Sequence, residues 1–311
     1  MSINSAMLAG ASGMRANSSA LAAISDNIAN VNTVGYKRLR SDFVSLLNSQ
    51  NGQTTYNAGG VATGIDYRLD PRFLIGLGIG FSSGNHWLSG FSGRGTSNSY
   101  QASLYASFTQ GAFYLDGQAG YGFNDNQMTR MIAIPGLQPR TATGQTSANQ
   151  FVGQIEAGYR IGIYEQAAAS LTPFARLQGV NNSQAAFSET GAGSLSLNVA
   201  QQTTNSVRST IGMELAGALD AGWRDRLALQ LRLGWAHEYA DVSRPVTASF
   251  AGAPGAAFTV FGAAPQRDAA ALGFAASTAI AENTSIYFRY DGDVGTGTDN
   301  HAFSAGLRMT W

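Results

Sequence analysis

The chain has 311 residues, a formal net charge of zero and no cysteine. This balance gives no indication of a nucleic-acid partner, and the absence of any run of about 18 apolar residues excludes a transmembrane helix. Charged residues make up only 12% of the chain, about half the usual share. So few charges beside many Gly, Ser, Thr, Asn and Gln residues suit an outer surface that faces lipid.

The N-terminal part of the chain predicts helices. A heptad seam is formed by Met7, Met14, Leu21 and Ile28 in one position and by Gly10, Asn17, Ile24 and Val31 in the next. Glycine and asparagine weaken such a seam, so we expect this helix to order only against copies of itself or against partners. Gly35 breaks the pattern, and residues 41–49 predict a second helix with Ser41 or Asp42 as its N-cap.

The N-terminus also bears on the route of export. It has no basic n-region and no compact apolar core, so it does not predict a Sec signal peptide. A protein that reaches the periplasm through Sec requires such a peptide. The sequence therefore leaves delivery to an outer membrane in doubt.

From Gly60 to the last residue the chain predicts strands. Eleven segments alternate apolar and polar residues with a period of two, such as residues 73–81, 151–161 and 227–238. A soluble sandwich shows the same alternation, with one face in water. Here, however, the polar positions carry mostly Gly, Ser and Gln with few charges, which favours a barrel with lipid outside and a narrow polar lumen inside.

The connections between these segments support the barrel. Short links are predicted near 70–72, 110–111, 163–166, 220–226 and 281–283, and longer ones near 82–98, 124–149, 180–206, 240–268 and 292–300. Short periplasmic turns that alternate with long external loops are typical of outer-membrane barrels, which close with an even number of strands. The sequence therefore predicts a mainly β, antiparallel up-and-down transmembrane β-barrel with about 11 of 12 strands present, lacking its first strand and preceded by a short α-helical segment.

The polar positions of the strands include a set of charged residues that we expect to face the lumen. They are Asp116, Glu156, Arg160, Arg176, Arg208, Glu214, Arg232, Glu238, Arg289 and Arg308. Such charges either neutralise one another across a narrow pore, or line a conduit or hold a plug helix. The sequence favours the first interpretation.

The last strand carries a second recognisable pattern. Phe303, Leu307, Met309 and Trp311 share one face, and the chain ends on an aromatic residue. This pattern resembles the C-terminal signature by which outer-membrane proteins are handed to the barrel-assembly machinery. The alternative is an ordinary terminal strand.

Residues 60–311 resemble the translocator domain of autotransporters, the type V secretion proteins. Stretches such as "GGVATGIDYRL", "QFVGQIEAGYRI" and "LALQLRLGWAHEY" carry the resemblance over almost the whole β region. It implies a barrel in the outer membrane that assists export of an upstream passenger. The chain departs from that family in showing no signal peptide, no passenger and no first strand.

Residues 1–61 resemble the N-terminal segment of flagellar hook and rod proteins. The motif "ISDNIANVNTVGYK" carries this resemblance through Ile24, Asn27, Ile28, Asn30, Asn32, Gly35, Tyr36 and Lys37. It implies packing in the flagellar axial tube and export by the type III apparatus. The two resemblances overlap at "GGV", residues 59–61, so we interpret the chain as a fusion of residues 1–59 with residues 60–311, of natural, artefactual or engineered origin.

No pattern in the sequence indicates catalysis, a cofactor or a metal. The glycines of "GLGIG", residues 76–80, alternate within a strand, whereas a phosphate-binding loop opens a helix. His86, His237 and His301 stand alone, without the spacing of metal ligands. We therefore expect a protein that is not an enzyme.

These observations lead to two hypotheses for function. The first is an outer-membrane autotransporter-type barrel fused to a hook-like segment, with outer-membrane lipid and the barrel-assembly machinery as partners. The second is a truncated flagellar hook or rod protein with a fused β domain, located in the flagellum. In either case residues 1–48 are expected to contact flagellar axial proteins, and no nucleic acid is involved.

Overall fold

The fold is described from a computed structural model of the chain. It describes residues 40–44, 47–50, 53–88, 93–134, 136, 138–220, 222, 226–262, 264–281, 284–295 and 300–309. The predicted heptad helix and the flagellar motif, Ile24 to Lys37, lie outside these residues, as does Trp311. Among the described residues, no helix is long and apolar enough to span a membrane.

Antiparallel strands make up nearly all of the described chain. They are β1 (Arg40–Val44), β2 (Leu47–Gln50), β3 (Gln53–Asp70), β4 (Phe73–Leu88), β5 (Gly93–Gln110), β6 (Phe113–Ile132), β7 (Arg140–Tyr159), β8 (Ile161–Tyr164), β9 (Ala169–Gln184), β10 (Phe187–Ser188), β11 (Leu197–Val199), β12 (Gln202–Leu219), β13 (Leu227–Glu238), β14 (Pro245–Phe250), β15 (Ala253–Phe261), β16 (Asp268–Ala281), β17 (Thr284–Val294) and β18 (Asn300–Met309). Short 3-10 turns span Glu165–Ala167 and Gly193–Leu195.

The main sheet follows the chain from neighbour to neighbour. Its order is β1-β3-β4-β5-β6-β7-β9-β12-β13-β16-β17-β18, with β2 paired to β3 and β8 to β9. Of these strands, eleven are the long consecutive strands from β3 to β18 that an up-and-down barrel requires. The predicted fold class is confirmed.

The predicted second helix, residues 41–49, is wrong, because residues 41–44 lie in β1 and residues 47–49 lie in β2. Arg40 pairs with Gly64 and Val44 with Gly60, and the Cα atoms of β1 and β2 come within 8 Å of those of β18. The segment therefore takes the position of the strand that the sequence predicted to be missing. The free edge of β3 offers unpaired backbone groups, and pairing with them outweighs a weak helical preference. The sheet also begins at residue 40, ahead of the predicted boundary at Gly60.

At the ends joined by the long connections, the strands extend past the residues that alternate between apolar and polar. β6 runs to Ile132 and β7 starts at Arg140, so much of the predicted loop at 124–149 is a paired hairpin. The side chains of this extension are polar on the outward face as well, as at Asp125 and Gln127. Apolar alternation marks only the part of a strand that contacts lipid, whereas backbone pairing needs no such pattern.

The two faces of the main sheet differ in chemistry. Leu231 and Leu233 on β13 are 42% and 50% exposed, whereas Arg232 between them is only 8% exposed. On β4, the apolar outward positions from Phe73 to Phe81 cover eight residue steps, about 26 Å along the strand. With a tilt of about 40° this length gives an apolar band about 20 Å tall, near the ~25 Å of outer-membrane barrels.

Aromatic pairs mark the upper border of this band on the outer face. The rings of Phe81 and Tyr100 lie 5.1 Å apart, as do those of Tyr121 and Phe151. Four residues further along β6, Asp125 accepts a hydrogen bond from the Gln145 side-chain amide at 3.2 Å. Aromatic residues that separate an apolar band from polar side chains are typical of a membrane–water interface.

A second, smaller sheet is built from two of the long connections. Its order is β10-β11-β14-β15, and its strands come from residues 185–201 and 239–267. We call it the loop sheet. Its core contains Leu197, Val199, Val246 and Ala248, with Phe187 and Phe258 packed against them.

Candidate functional site

The inner face of the main sheet carries cross-strand rows of polar residues. In one row, Ser107 of β5 pairs with Asp116 of β6, Asp116 with Glu156 of β7, and Glu156 with Arg176 of β9. Because neighbouring strands bring their inward residues side by side, each row extends around the inner wall. The row through Glu156 lies near the short-turn ends of these strands.

Glu156 is the centre of this row. Its side chain is almost fully buried, and it accepts hydrogen bonds from the Arg176 Nε at 2.6 Å, from the Arg232 guanidinium at 2.7 Å and from the Tyr114 hydroxyl at 2.8 Å. A buried carboxylate is tolerated only when its charge is matched and its lone pairs are filled. Two guanidinium groups and one hydroxyl meet both requirements here.

Arg232 connects this carboxylate to a second one. It lies 3.2 Å from the Glu214 carboxylate, and its guanidinium stacks on the ring of Phe174 at 4.0 Å from the centroid. A guanidinium over an aromatic face gains a further electrostatic attraction. We call Tyr114, Glu156, Arg176, Glu214 and Arg232 the charge network.

The site also requires a glycine beside Phe174. A Cβ on Gly212 would lie 2.8 Å from the Phe174 ring and would also overlap the Leu233 carbonyl. The absence of a side chain on β12 therefore lets the ring lie flat under Arg232. The sequence motif "STIGMEL" gives no hint of this role.

The ion pairs show that the inner face is concave. Arg232 lies on β13 and Glu156 on β7, with β9 and β12 between them in the sheet. Three strand spacings amount to about 14 Å along a sheet, so the two side chains bond directly only because the sheet curls around them. The same holds for Arg208 of β12 and Asp293 of β17, which form a bidentate pair at 2.8 and 2.6 Å across β13 and β16.

The other residues predicted to face the lumen occupy different environments. Glu238 accepts hydrogen bonds from the Ser206 hydroxyl at 2.5 Å and the Val207 N–H at 2.8 Å. Arg289 pairs with Asp291 on its own strand at 2.6 Å. These two carboxylate contacts lie outside the charge network but on the same inner face.

The three remaining predicted residues are Asp116, Arg160 and Arg308. Asp116 lies in the Glu156 row, and one of its carboxylate oxygens has no hydrogen-bond partner among the described residues. Arg160 lies just after β7, where its backbone N–H donates to the Ala112 carbonyl. Arg308 of β18 pairs through its backbone with Ser285 of β17, but its side chain lies outside the described part.

Of the C-terminal signature, the structure describes Phe303 as an exposed side chain on the outer face. Leu307 and Met309 pair with Ile286 and Thr284 through their backbones. Their side chains, and all of Trp311, lie outside the described residues. The signature remains a prediction.

The sequence missed several members of the inner face. Tyr114, Phe174 and Asp293 all take part in its contacts. Tyr114 has the same parity as Asp116, Phe174 that of Arg176 and Asp293 that of Arg289. Extending the period-two alternation to every polar and aromatic residue of each strand would have found these three.

Uncharged polar residues line the wall beyond the charge network. Buried on the inner faces of β5, β6, β7 and β9 are Ser97, Ser99, Gln118, Asn124, Asn126, Thr146, Gln150 and Gln184. The Ser99 hydroxyl donates to the Asn124 side chain at 2.5 Å. On these four strands the inner wall is therefore charged near the short turns and uncharged above them as far as Arg130, whereas Glu238 and Asp293 place charges near the long-loop ends of β13 and β17. Among the described residues, no group of three or more His, Cys, Asp or Glu side chains is placed to hold a metal ion.

Comparison with known families agrees with this geometry. The family described as "Autotransporter beta-domain" matches residues 41–291, most of the chain. The chain belongs to the autotransporter β-domain family. The family described as "Flagella basal body rod protein" matches residues 7–37 of this autotransporter chain.

Individual relatives show the same division. The flagellar hook protein FlgE of Caulobacter vibrioides is 74% identical over 61 residues, which is 20% of this chain and 10% of that protein. The extracellular serine protease of Serratia marcescens is 27% identical over 257 residues, which is 81% of this chain and 23% of the protease. The chain thus spans less than a quarter of the length of either relative. The predicted fusion of hook-like and autotransporter-like sequence is confirmed.

A solved structure supports the fold. The translocator domain of the autotransporter NalP from Neisseria meningitidis superposes with a TM-score of 0.73, covering 97% of each chain at 15% identity. An identity this low shows the fold alone. Fold and family together identify the described strands as an outer-membrane autotransporter-type barrel.

Proposed function

We propose that this chain acts in the outer membrane as the barrel through which an attached polypeptide is exported, and that it catalyses no reaction itself. The observation that carries the proposal is the inverted distribution of side chains. Leu231 and Leu233 are exposed on the outer face, while Arg232 and Glu156 are buried on the inner one. A water-soluble sandwich has the opposite arrangement, whereas a lipid-embedded barrel requires this one.

Three further features support this function. The family match covers residues 41–291, and the inner wall carries the polar groups that a path for a polypeptide needs. The exposed Phe303 on the last strand fits recognition by the barrel-assembly machinery. Outer-membrane lipid and that machinery are therefore the proposed partners of the β domain.

The proposal is tested by refolding the full chain into lipid vesicles and comparing its gel mobility in SDS before and after boiling. We expect the unboiled protein to migrate at a different apparent size, because a barrel with all its strands paired resists SDS. A chain that stays soluble without lipid or detergent, and shows one mobility throughout, would refute the proposal.

A structural role in the flagellum is a second candidate, favoured by the 74% identity to a hook protein. In that case residues 1–48 would contact axial proteins of the flagellum. Cell fractionation separates the two candidates. A flagellar role requires the chain in purified hook–basal bodies, and the barrel function requires it in outer-membrane fractions.

A further inference from the structure

The loop sheet is an ordered body formed by two different connections. Residues 185–201 follow β9 and residues 239–267 follow β13, yet β11 of the first pairs with β14 of the second. Leu197 pairs with Phe250 and Val199 with Ala248 across this junction. The two connections therefore behave as one unit, held by backbone hydrogen bonds and a small apolar core.

One side of the loop sheet is attached to the inner face of β6 and β7. Even-numbered residues of these strands point inward, as Asn124 and Glu156 do. Arg130 has the same parity, and its guanidinium donates to the Glu189 carboxylate at 2.5 Å and to the Leu195 carbonyl at 3.1 Å. The same segment also pairs with the edge of β7 through a backbone bridge between Thr143 and Thr190, so the loop sheet meets the wall at this edge and contacts its inner face through Glu189.

The ion pair that makes this attachment is shielded from water. The side chains of Arg130 and Glu189 are only 15% and 8% exposed. Glu189 also accepts the Leu197 N–H at 2.9 Å, so one carboxylate ties β11 to the barrel wall. Hydrogen bonds to a buried charge are among the stronger ones in proteins.

Close packing accompanies the ion pair. A Cβ on Gly144 of β7 would lie only 2.8 Å from the ring of Phe187, which is too close for the two to coexist without a shift. Gly191 has a φ of +94°, and a Cβ there would lie 2.5 Å from the Thr141 carbonyl oxygen. The Arg140 guanidinium donates to the Ala192 carbonyl at 3.0 Å. Both glycines are needed for the loop to approach β7 this closely.

The other side of the loop sheet is connected to the end of β13 and the start of β16. The Arg267 guanidinium donates to the Glu238 carbonyl at 3.3 Å. In the adjoining turn, the Ser243 N–H and hydroxyl hydrogen-bond to the Asp241 carboxylate, which lowers the pKa of Asp241. β9 and β12 lie between these ends and the β6–β7 attachment. The loop sheet thus joins two separate sectors of the rim.

We propose that the loop sheet is a lid over the long-loop mouth of the barrel, latched to the inner wall by the Arg130–Glu189 pair. With the latch formed, the lid shields the upper lumen from the exterior, and the charge network occupies the lumen near the short turns. Export requires the latch to break. The lid presupposes the barrel of the proposed function, but the two can fail separately, since the SDS mobility shift reports the barrel alone.

The chain has no cysteine, so a single introduced thiol can report access to the lumen. Ser97→Cys places one on the inner face of β5, at a buried position that pairs with Asn126 below Arg130. Thr96→Cys places the matched control on the exposed outer face, one residue away. Both are combined with Glu189→Gln in the full chain refolded into vesicles, and labelled with a membrane-impermeant maleimide.

We expect Glu189→Gln to raise the labelling rate of Cys-substituted Ser97 about tenfold or more, because loss of a charge-assisted hydrogen bond favours local opening by at least that factor. The rate at position 96 should not change. Arg140→Gln, which removes the hydrogen bond to Ala192, provides a milder unlatching variant. Asp125→Asn changes a carboxylate on the outer face of β6 and should leave both rates unaltered.

The outcomes decide the proposal. Faster labelling at position 97 alone, in either unlatched variant, supports a lid. An unchanged rate at position 97 in both variants, with the SDS mobility shift intact, overturns it. An equal rise at positions 96 and 97 also overturns it, since that reports loosening of the wall rather than movement of the loop sheet.

Discussion

Replacing Arg232 by methionine is expected to lower the free energy of unfolding by about 3–5 kcal/mol. Methionine keeps the unbranched stem of the side chain but leaves the buried Glu156 carboxylate without one of its two guanidinium partners. It also removes the cation over the Phe174 ring. Urea unfolding in lipid vesicles, followed by tryptophan fluorescence, measures the change.

Two controls isolate the buried charge. Arg72→Ala breaks an exposed ion pair with Asp70, at 3.8 Å and with side chains 61% and 46% exposed, and should cost no more than about 1 kcal/mol. The double variant Glu156→Gln with Arg232→Met removes both charges and should recover part of the lost stability. Equal effects of Arg232→Met and Arg72→Ala would contradict the burial of the charge network.

The second large effect is expected on the opposite face of the same strand. Leu231→Arg places a charge in the middle of the apolar outward positions of β13, which run from 227 to 235. A charged side chain facing lipid at mid-depth costs about 2–4 kcal/mol in outer-membrane barrels. The same urea titration in vesicles measures the loss.

Gln127→Arg is the matched substitution outside the apolar band. Gln127 is exposed on the outer face of β6, beyond the aromatic pairs, so an arginine there meets water and should have little effect. If both arginine variants were equally stable in vesicles, the outer face of β13 would not contact the hydrocarbon of the membrane.

The orientation of the strands could be predicted from the sequence because a period of two assigns every residue to a face. Leu231 and Leu233 were placed outward and Arg232 inward from their alternation alone, and the structure agrees. The resemblance to autotransporters could then be found by comparing short stretches of these same strands with the sequences of that family. These predictions depend on neighbours along the chain, which a sequence shows directly.

The partners within the lumen could not be predicted in the same way. Arg232 and Glu156 are 76 residues apart, and Arg208 and Asp293 are 85 apart. Their contacts depend on how tightly the sheet curls, a property of all the strands together. Parity shows that two charges face inward but not which of them meet.

The paired segments without apolar alternation were also missed. Residues 41–49 carry Phe43, Leu46 and Leu47 at helical spacing, yet β1 and β2 form there because the edge of β3 provides hydrogen-bond partners. The hairpin of β6 and β7 beyond the membrane band was predicted as loop for the same reason. Backbone pairing to a neighbouring strand leaves no mark in the side-chain pattern.

The most direct test of the lipid-embedded barrel is a spin-label scan of residues 227–238 in the refolded full chain. The sequence has no cysteine, so each position can be labelled alone, and collisions with oxygen and with a water-soluble nickel reagent can be counted. We predict high oxygen access at the odd positions 229, 231 and 233 and low access to both reagents at the even positions between them. High oxygen access at the even positions, or high nickel access at the odd positions, would contradict a lipid-embedded barrel.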